Sequence, residues 1–115
     1  MGLFTTLLKR KPKMYDNLDA ATFEAGMNED IDAVLLDVRT PGEYAEKHIP
    51  GSLNINLMDP RFMSKVNELD KNKTYYVYCR SGGRSASACG AMGRAGFERL
   101  HNLSGGIMGW HGATE

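Results

Sequence analysis

The run Ala33–Asp37 (AVLLD) is apolar without a polar residue on every second position. A strand with one face in water alternates, whereas a strand covered on both faces does not, and such strands belong to parallel sheets flanked by helices. A second run, Thr74–Tyr78 (TYYVY), is dense in aromatic and β-branched residues and predicts another strand. Shorter strands are expected at Lys13–Asn17, Ser52–Asn56 and Glu98–Asn102. Between them, Leu18, Ala21, Thr22 and Ala25 recur at helical spacing, with Gly26 as a stop. Thr40 reads as an N-cap and Pro41 as the first position of a short helix through Lys47. Further helices are expected over Arg61–Leu69 and Arg84–Ala95, the second closed by Gly96 with Phe97 behind it, and a last helical turn over Gly105–Trp110. Strands separated by helices predict the α/β class: a central, mainly parallel sheet of about five strands with helices on both faces.

The 115 residues suffice for one domain, expected over 13–115, preceded by a basic, amphipathic extension over 1–12. Hydrophobic residues at 42% and charged residues at 24% exclude a disordered chain. Fourteen basic and fourteen acidic side chains cancel, which gives no electrostatic case for nucleic acid. No apolar run approaches the roughly 20 residues of a membrane-spanning helix. Lys9, Arg10, Lys11 and Lys13 open the chain without an acid, behind apolar Leu3, Phe4, Leu7 and Leu8. A secretory signal would place its charges first. The stretch reads as a docking or frayed helix, broken at Pro12, with a membrane-surface contact as the other reading; MGLFTT also fits the short myristoylation pattern. Two cysteines cannot build a disulfide framework, so the reducing cytoplasm is the expected compartment.

In a parallel α/β sheet, ligands bind where strands end and turn into helices. The strand TYYVY runs directly into Cys79, Arg80, Ser81, Gly82, Gly83, Arg84 and Ser85, and then into a helix. Two adjacent glycines allow positive φ, so that the loop curls and its N–H groups converge. The helix start adds its positive end, the arginines add full charges, and the two hydroxyls are further donors. All of these favour an anion at the loop centre, so the Cys79 thiol is expected below the free value of about 8.5. A thiolate in such a cradle is a nucleophile. The bland alternative, a buried structural cysteine, gains nothing from two arginines around it.

Other candidates read as structural. Cys89 lies among Ala86, Ala88, Gly90 and Ala91 and is expected to fill core, a resolving thiol being the alternative. His48, His101 and His111 have no metal-ligand spacing, and neither a metal nor a cofactor is expected. Trp110 reads as a core or rim aromatic. Asp37 and Arg39, at the end of the buried strand, are expected to pair and support the neighbouring loops.

Together LLDVRTPGEYAEKHIPGSLNINL (35–57), YYVYCRSGGRS (75–85) and NLSGGIMGW (102–110) resemble the single-domain rhodaneses, sulfurtransferases of the rhodanese-like fold. The likeness spans nearly the whole chain after residue 13. One departure is Lys47, where the family commonly has glycine, a position outside the reactive loop and expected to bear on turn geometry alone. The resemblance implies that Cys79 takes sulfur from a donor such as thiosulfate, becomes a persulfide, and passes the sulfur to cyanide or a thiol. It implies a small-molecule donor and acceptor, or a sulfur-accepting protein, and a monomer or weak homodimer. Arg80 would orient an anionic donor, and Arg84 either joins it or braces the loop.

Two other functions compete. Cysteine-based phosphatases and arsenate reductases resemble Cys-x5-Arg, whereas Cys79 to Arg84 is Cys-x4-Arg, a ring better sized to one sulfur than to a tetrahedral oxyanion. A non-catalytic rhodanese-like module, or a protein-to-protein sulfur carrier, is the second.

Overall fold

The computed structural model describes residues 14–115. The extension over 1–12 and the start of the strand expected at Lys13 lie outside the described residues.

Five strands form one sheet: β1 (Asp16–Leu18), β2 (Val34–Asp37), β3 (Leu53–Asn54), β4 (Thr74–Tyr78) and β5 (Arg99–Leu103). Their order is β1-β5-β4-β2-β3, and all four pairings are parallel. The helices are α1 (Ala20–Glu29), α2 (Pro41–Glu46), α3 (Phe62–Val66) and α4 (Gly83–Arg94), followed by a 3-10 turn at Ile107–Gly109.

Side chains of successive strand residues enter opposite layers. On one face Leu36, Val38, Tyr75, Val77, Cys79 and Leu100 pack with Phe62 and Val66 of α3 and with Ala88, Cys89 and Met92 of α4. On the other, Leu35, Tyr76, Tyr78 and Leu103 pack with Phe23 of α1, Ile49 and Ile107. Phe23 meets Tyr76 edge-on at 5.2 Å and Trp110 at 6.2 Å between ring centres, which makes Trp110 a rim aromatic. Both faces of β4 are thus dry, and its end is fixed from two sides. Among the described residues, no helix is long and apolar enough to cross a membrane.

Several boundaries differ from the sequence expectation, each for a local reason. Among the described residues the first strand is Asp16–Leu18, paired with His101–Leu103, with Met14 and Tyr15 bent ahead of it. The third is a two-residue ladder, Leu53–Asn54, within the expected Ser52–Asn56. Gly26 does not stop α1, which continues to Glu29; a Cβ there would strike the Tyr76 hydroxyl, so this glycine admits a ring to the helix surface. Gly96 does close α4: at φ +104 it lets the Phe97 N–H reach the Met92 carbonyl at 3.1 Å while the ring is buried.

Candidate active site

Cys79 follows the last residue of the central strand β4, at the carboxyl edge of the sheet. Two backbone bonds from the 3-10 turn hold the loop's start: the Ile107 N–H donates to the Cys79 carbonyl at 2.9 Å and the Met108 N–H to that of Arg80 at 3.0 Å. Backbone packs on backbone here. A Cβ at Gly106, itself at φ +61, would collide with the Arg80 carbonyl and the Ser81 nitrogen. Likewise a Cβ at Gly82, at φ +108, would collide with the Ser104 carbonyl. Gly83, by contrast, opens α4 in ordinary helical conformation with open space where a side chain would stand. The expectation of two positive-φ glycines is corrected to one, because a single left-handed residue already turns the chain into the helix.

The turn at Gly82 brings donors onto the sulfur. The Gly82 N–H donates to Cys79 Sγ at 3.1 Å and the Ser85 hydroxyl at 3.3 Å. Burial works against ionisation of this thiol, which is only 1% exposed. Hydrogen bonds from the Ser85 hydroxyl and from the backbone of Ser85, Gly82 and Ser81 outweigh it, and the thiol lies below its ordinary value. The single Ser85 hydroxyl proton is shared, since the Gly82 carbonyl stands at 3.2 Å. A full negative charge on sulfur draws that proton more strongly than a neutral carbonyl does. Asn102 secures the same carbonyl, its Nδ2 donating to Gly82 O at 3.3 Å and to Asn17 Oδ1 at 2.9 Å.

The two loop arginines diverge. Arg80 is exposed, whereas Arg84 is held by Glu43 of α2, Nη1 to Oε1 at 2.7 Å and Nη2 to Oε2 at 2.9 Å. Glu43 is also the N3 residue of a capping box with Thr40. Its carboxyl is held at about 2, first by the Arg84 hydrogen bond, against an opposing effect of burial and with help from the Thr40 backbone. Asp37 and Arg39 form a buried, forked pair: Nη2 lies 2.7 Å from Oδ2 and Nε 3.0 Å from Oδ1. Arg39 also donates to the carbonyls of Glu43 at 3.4 Å and Lys47 at 2.7 Å, so the pair holds the carboxyl end of α2 beside the loop.

Ser81 is exposed on the loop and contributes its backbone to the thiol. Cys89 is fully buried in the layer that holds Cys79; burial first, and the Cys79 charge second, push its thiol up to about 12. His48 stacks on Tyr44 and binds its carbonyl, and His101 lies 3.4 Å from Asp16. Reasoning from sequence missed Glu43, Asn102 and Gly106. The Thr40-x-x-Glu43 spacing signals the capping box, but its partner Arg84 lies 41 residues away and nothing local announces it.

Comparison with known proteins gives a consistent result. The sequence profile of the Rhodanese-like domain matches residues 19–113. A protein of Allochromatium vinosum named a sulfurtransferase is 36% identical over 97 residues, 84% of this chain and 89% of that one. The thiosulfate sulfurtransferase PspE of Escherichia coli is 33% identical over 70 residues, 61% of this chain and 67% of that protein. Among solved structures, a rhodanese-related protein from Thermoplasma volcanium superposes with a TM-score of 0.75 at 28% identity, covering 88% of this chain and 98% of its own.

Proposed function

The chain belongs to the rhodanese-like sulfurtransferase family, and from that premise we propose that it moves sulfane sulfur from thiosulfate to cyanide or a thiol through a persulfide on Cys79. The observation that carries this reading is the convergence of the Gly82 N–H and the Ser85 hydroxyl on Cys79 Sγ. The thiolate attacks the outer sulfur of thiosulfate; a Cys79 S–S bond forms, the donor's S–S bond breaks, and sulfite leaves with its electron pair. The acceptor then attacks the terminal sulfur, and the pair of the broken S–S bond returns to Cys79. Covalent storage divides one difficult transfer into two easier ones. The donors that hold the thiolate also stabilise the charge of the terminal persulfide sulfur, in the manner of an oxyanion hole. The hydrogen bonds that lower the thiol from its ordinary value favour its ionised form, which lessens the work left to a base.

A phosphatase reading is disfavoured by Arg84, whose guanidinium is spent on Glu43 rather than left for a phosphate. A compartment that keeps Cys79 and Cys89 as free thiols suits this chemistry, and the cytoplasm is the one proposed.

The test is thiocyanate release from thiosulfate and cyanide. Wild type and Cys89→Ala are expected to turn over and Cys79→Ser to be inert. Turnover by Cys79→Ser, or hydrolysis of a generic phosphate ester in its place, overturns the reading. A silent wild type points instead to the non-catalytic module.

A further inference from the structure

A cleft of about 630 Å³ adjoins the reactive loop on its Arg80 side, with Ile107 and the exposed Met108 as its apolar wall. Its charged lining divides into groups already engaged and groups that are not. Arg39 is occupied by Asp37 and two carbonyls, and Glu43 by Arg84. That leaves Glu46, Lys47 and Arg80, all exposed and none in an ion pair among the described residues. Lys47 is the position expected from sequence to bear on turn geometry alone. That expectation is corrected. Lys47 adopts φ −165°, extended backbone open to any residue, so the lysine changes what the cleft presents rather than how the chain turns. The Arg39 bond to the Lys47 carbonyl at 2.7 Å anchors its backbone at the cleft edge.

We propose that Lys47 is a specificity-determining residue which, with Arg80, selects as sulfur acceptors small organic thiols that carry carboxylates. The inference rests on the persulfide reading above and concerns its second step. Thiosulfate is a compact anion and asks for no cleft of this size, whereas an organic thiol has a body to seat against Ile107 and Met108. Loading extends the Cys79 side chain by one S–S bond of about 2 Å, so the acceptor need not reach the covered Sγ itself. The acceptor thiolate bonds to the terminal sulfur, the persulfide S–S bond breaks, and its electron pair stays on the Cys79 thiolate; the acceptor departs as a persulfide. Carboxylates held by Lys47 and Arg80 raise the local concentration of acceptor without altering that chemistry.

The test is the second-order rate of discharge of preformed Cys79 persulfide to mercaptosuccinate, with two carboxylates, and to uncharged 2-mercaptoethanol. Comparing wild type and variant with the same thiol cancels intrinsic thiol reactivity. Lys47→Gln is expected to slow discharge to mercaptosuccinate about fivefold, the order of one exposed charge contact, and to leave 2-mercaptoethanol unchanged. Lys47→Arg should restore the rate, Glu46→Gln should raise it, and added salt should shrink the difference. Equal loss with both thiols, or no loss with either, overturns the role of Lys47 while leaving sulfur transfer standing. Failure of the wild type to form a Cys79 persulfide overturns both.

Discussion

Arg84 and Glu43 are joined by two hydrogen bonds, of 2.7 and 2.9 Å, that tie the first turn of α4 to the first turn of α2. The loop after Cys79 is thereby braced from outside: its helix end leans on α2, whose carboxyl-end carbonyls are held by Arg39. The loop's shape thus depends on a carboxylate that never touches the sulfur. Glu43→Gln removes that charge while keeping its size. Ionised Glu43 contributes stability above its free value of 4.5, a contribution gone once pH has fallen through about 2. Denaturant unfolding should therefore show wild type more stable by about 1 kcal/mol at neutral pH, with the gap closing through that acid window. A gap that does not change with pH contradicts the brace.

Ser85→Ala removes the hydroxyl that does most to offset burial at Cys79. Its thiol should rise toward the ordinary range, and alkylation by a neutral reagent should shift to higher pH than in wild type. Because the native thiol is depressed, its ionisation contributes stability above the ordinary thiol value, and that contribution is lost as pH falls through the native one. The variant should show less of this dependence. An unshifted alkylation profile would show that the backbone amides suffice alone.

Gly82→Ala and Gly106→Ala should each cripple sulfur loading and destabilise the fold by about 2 kcal/mol or more, since both meet backbone at positive φ. Gly83→Ala, one position along, should retain activity and gain about 0.5 kcal/mol from helix propensity. Thermal melts and turnover of the three variants check the contrast, which fails if Gly83→Ala is as damaging as its neighbour.

Cys89→Ala should load sulfur like wild type and lose about 1 kcal/mol of stability through a small cavity. The neutral thiol, pushed up to about 12, is no competitor for the donor. Slower discharge of the persulfide in this variant would reveal a resolving role.

Local chemistry made much of the molecule legible. The unalternating AVLLD run, the aromatic TYYVY run and the Thr40–Pro41 start correspond to β2, β4 and α2, because each is decided by burial or capping within a few residues. What stayed hidden depends on neighbours distant in sequence. Gly26 looks like a helix stop until the Tyr76 ring is brought against it, and Gly106 looks like one of several loop glycines until the Arg80 carbonyl arrives. Lys47 looks incidental until folding places it at the edge of the same cleft as Arg80. Charge partners across the chain leave no periodic trace.

The most direct measurement is the intact mass of wild type, Cys79→Ser and Cys89→Ala after exposure to thiosulfate with no acceptor present. One added sulfur atom is expected on wild type and on Cys89→Ala, removed by a later thiol, and none on Cys79→Ser. An added sulfur that survives in Cys79→Ser, or no addition to the wild type, contradicts the Cys79 persulfide.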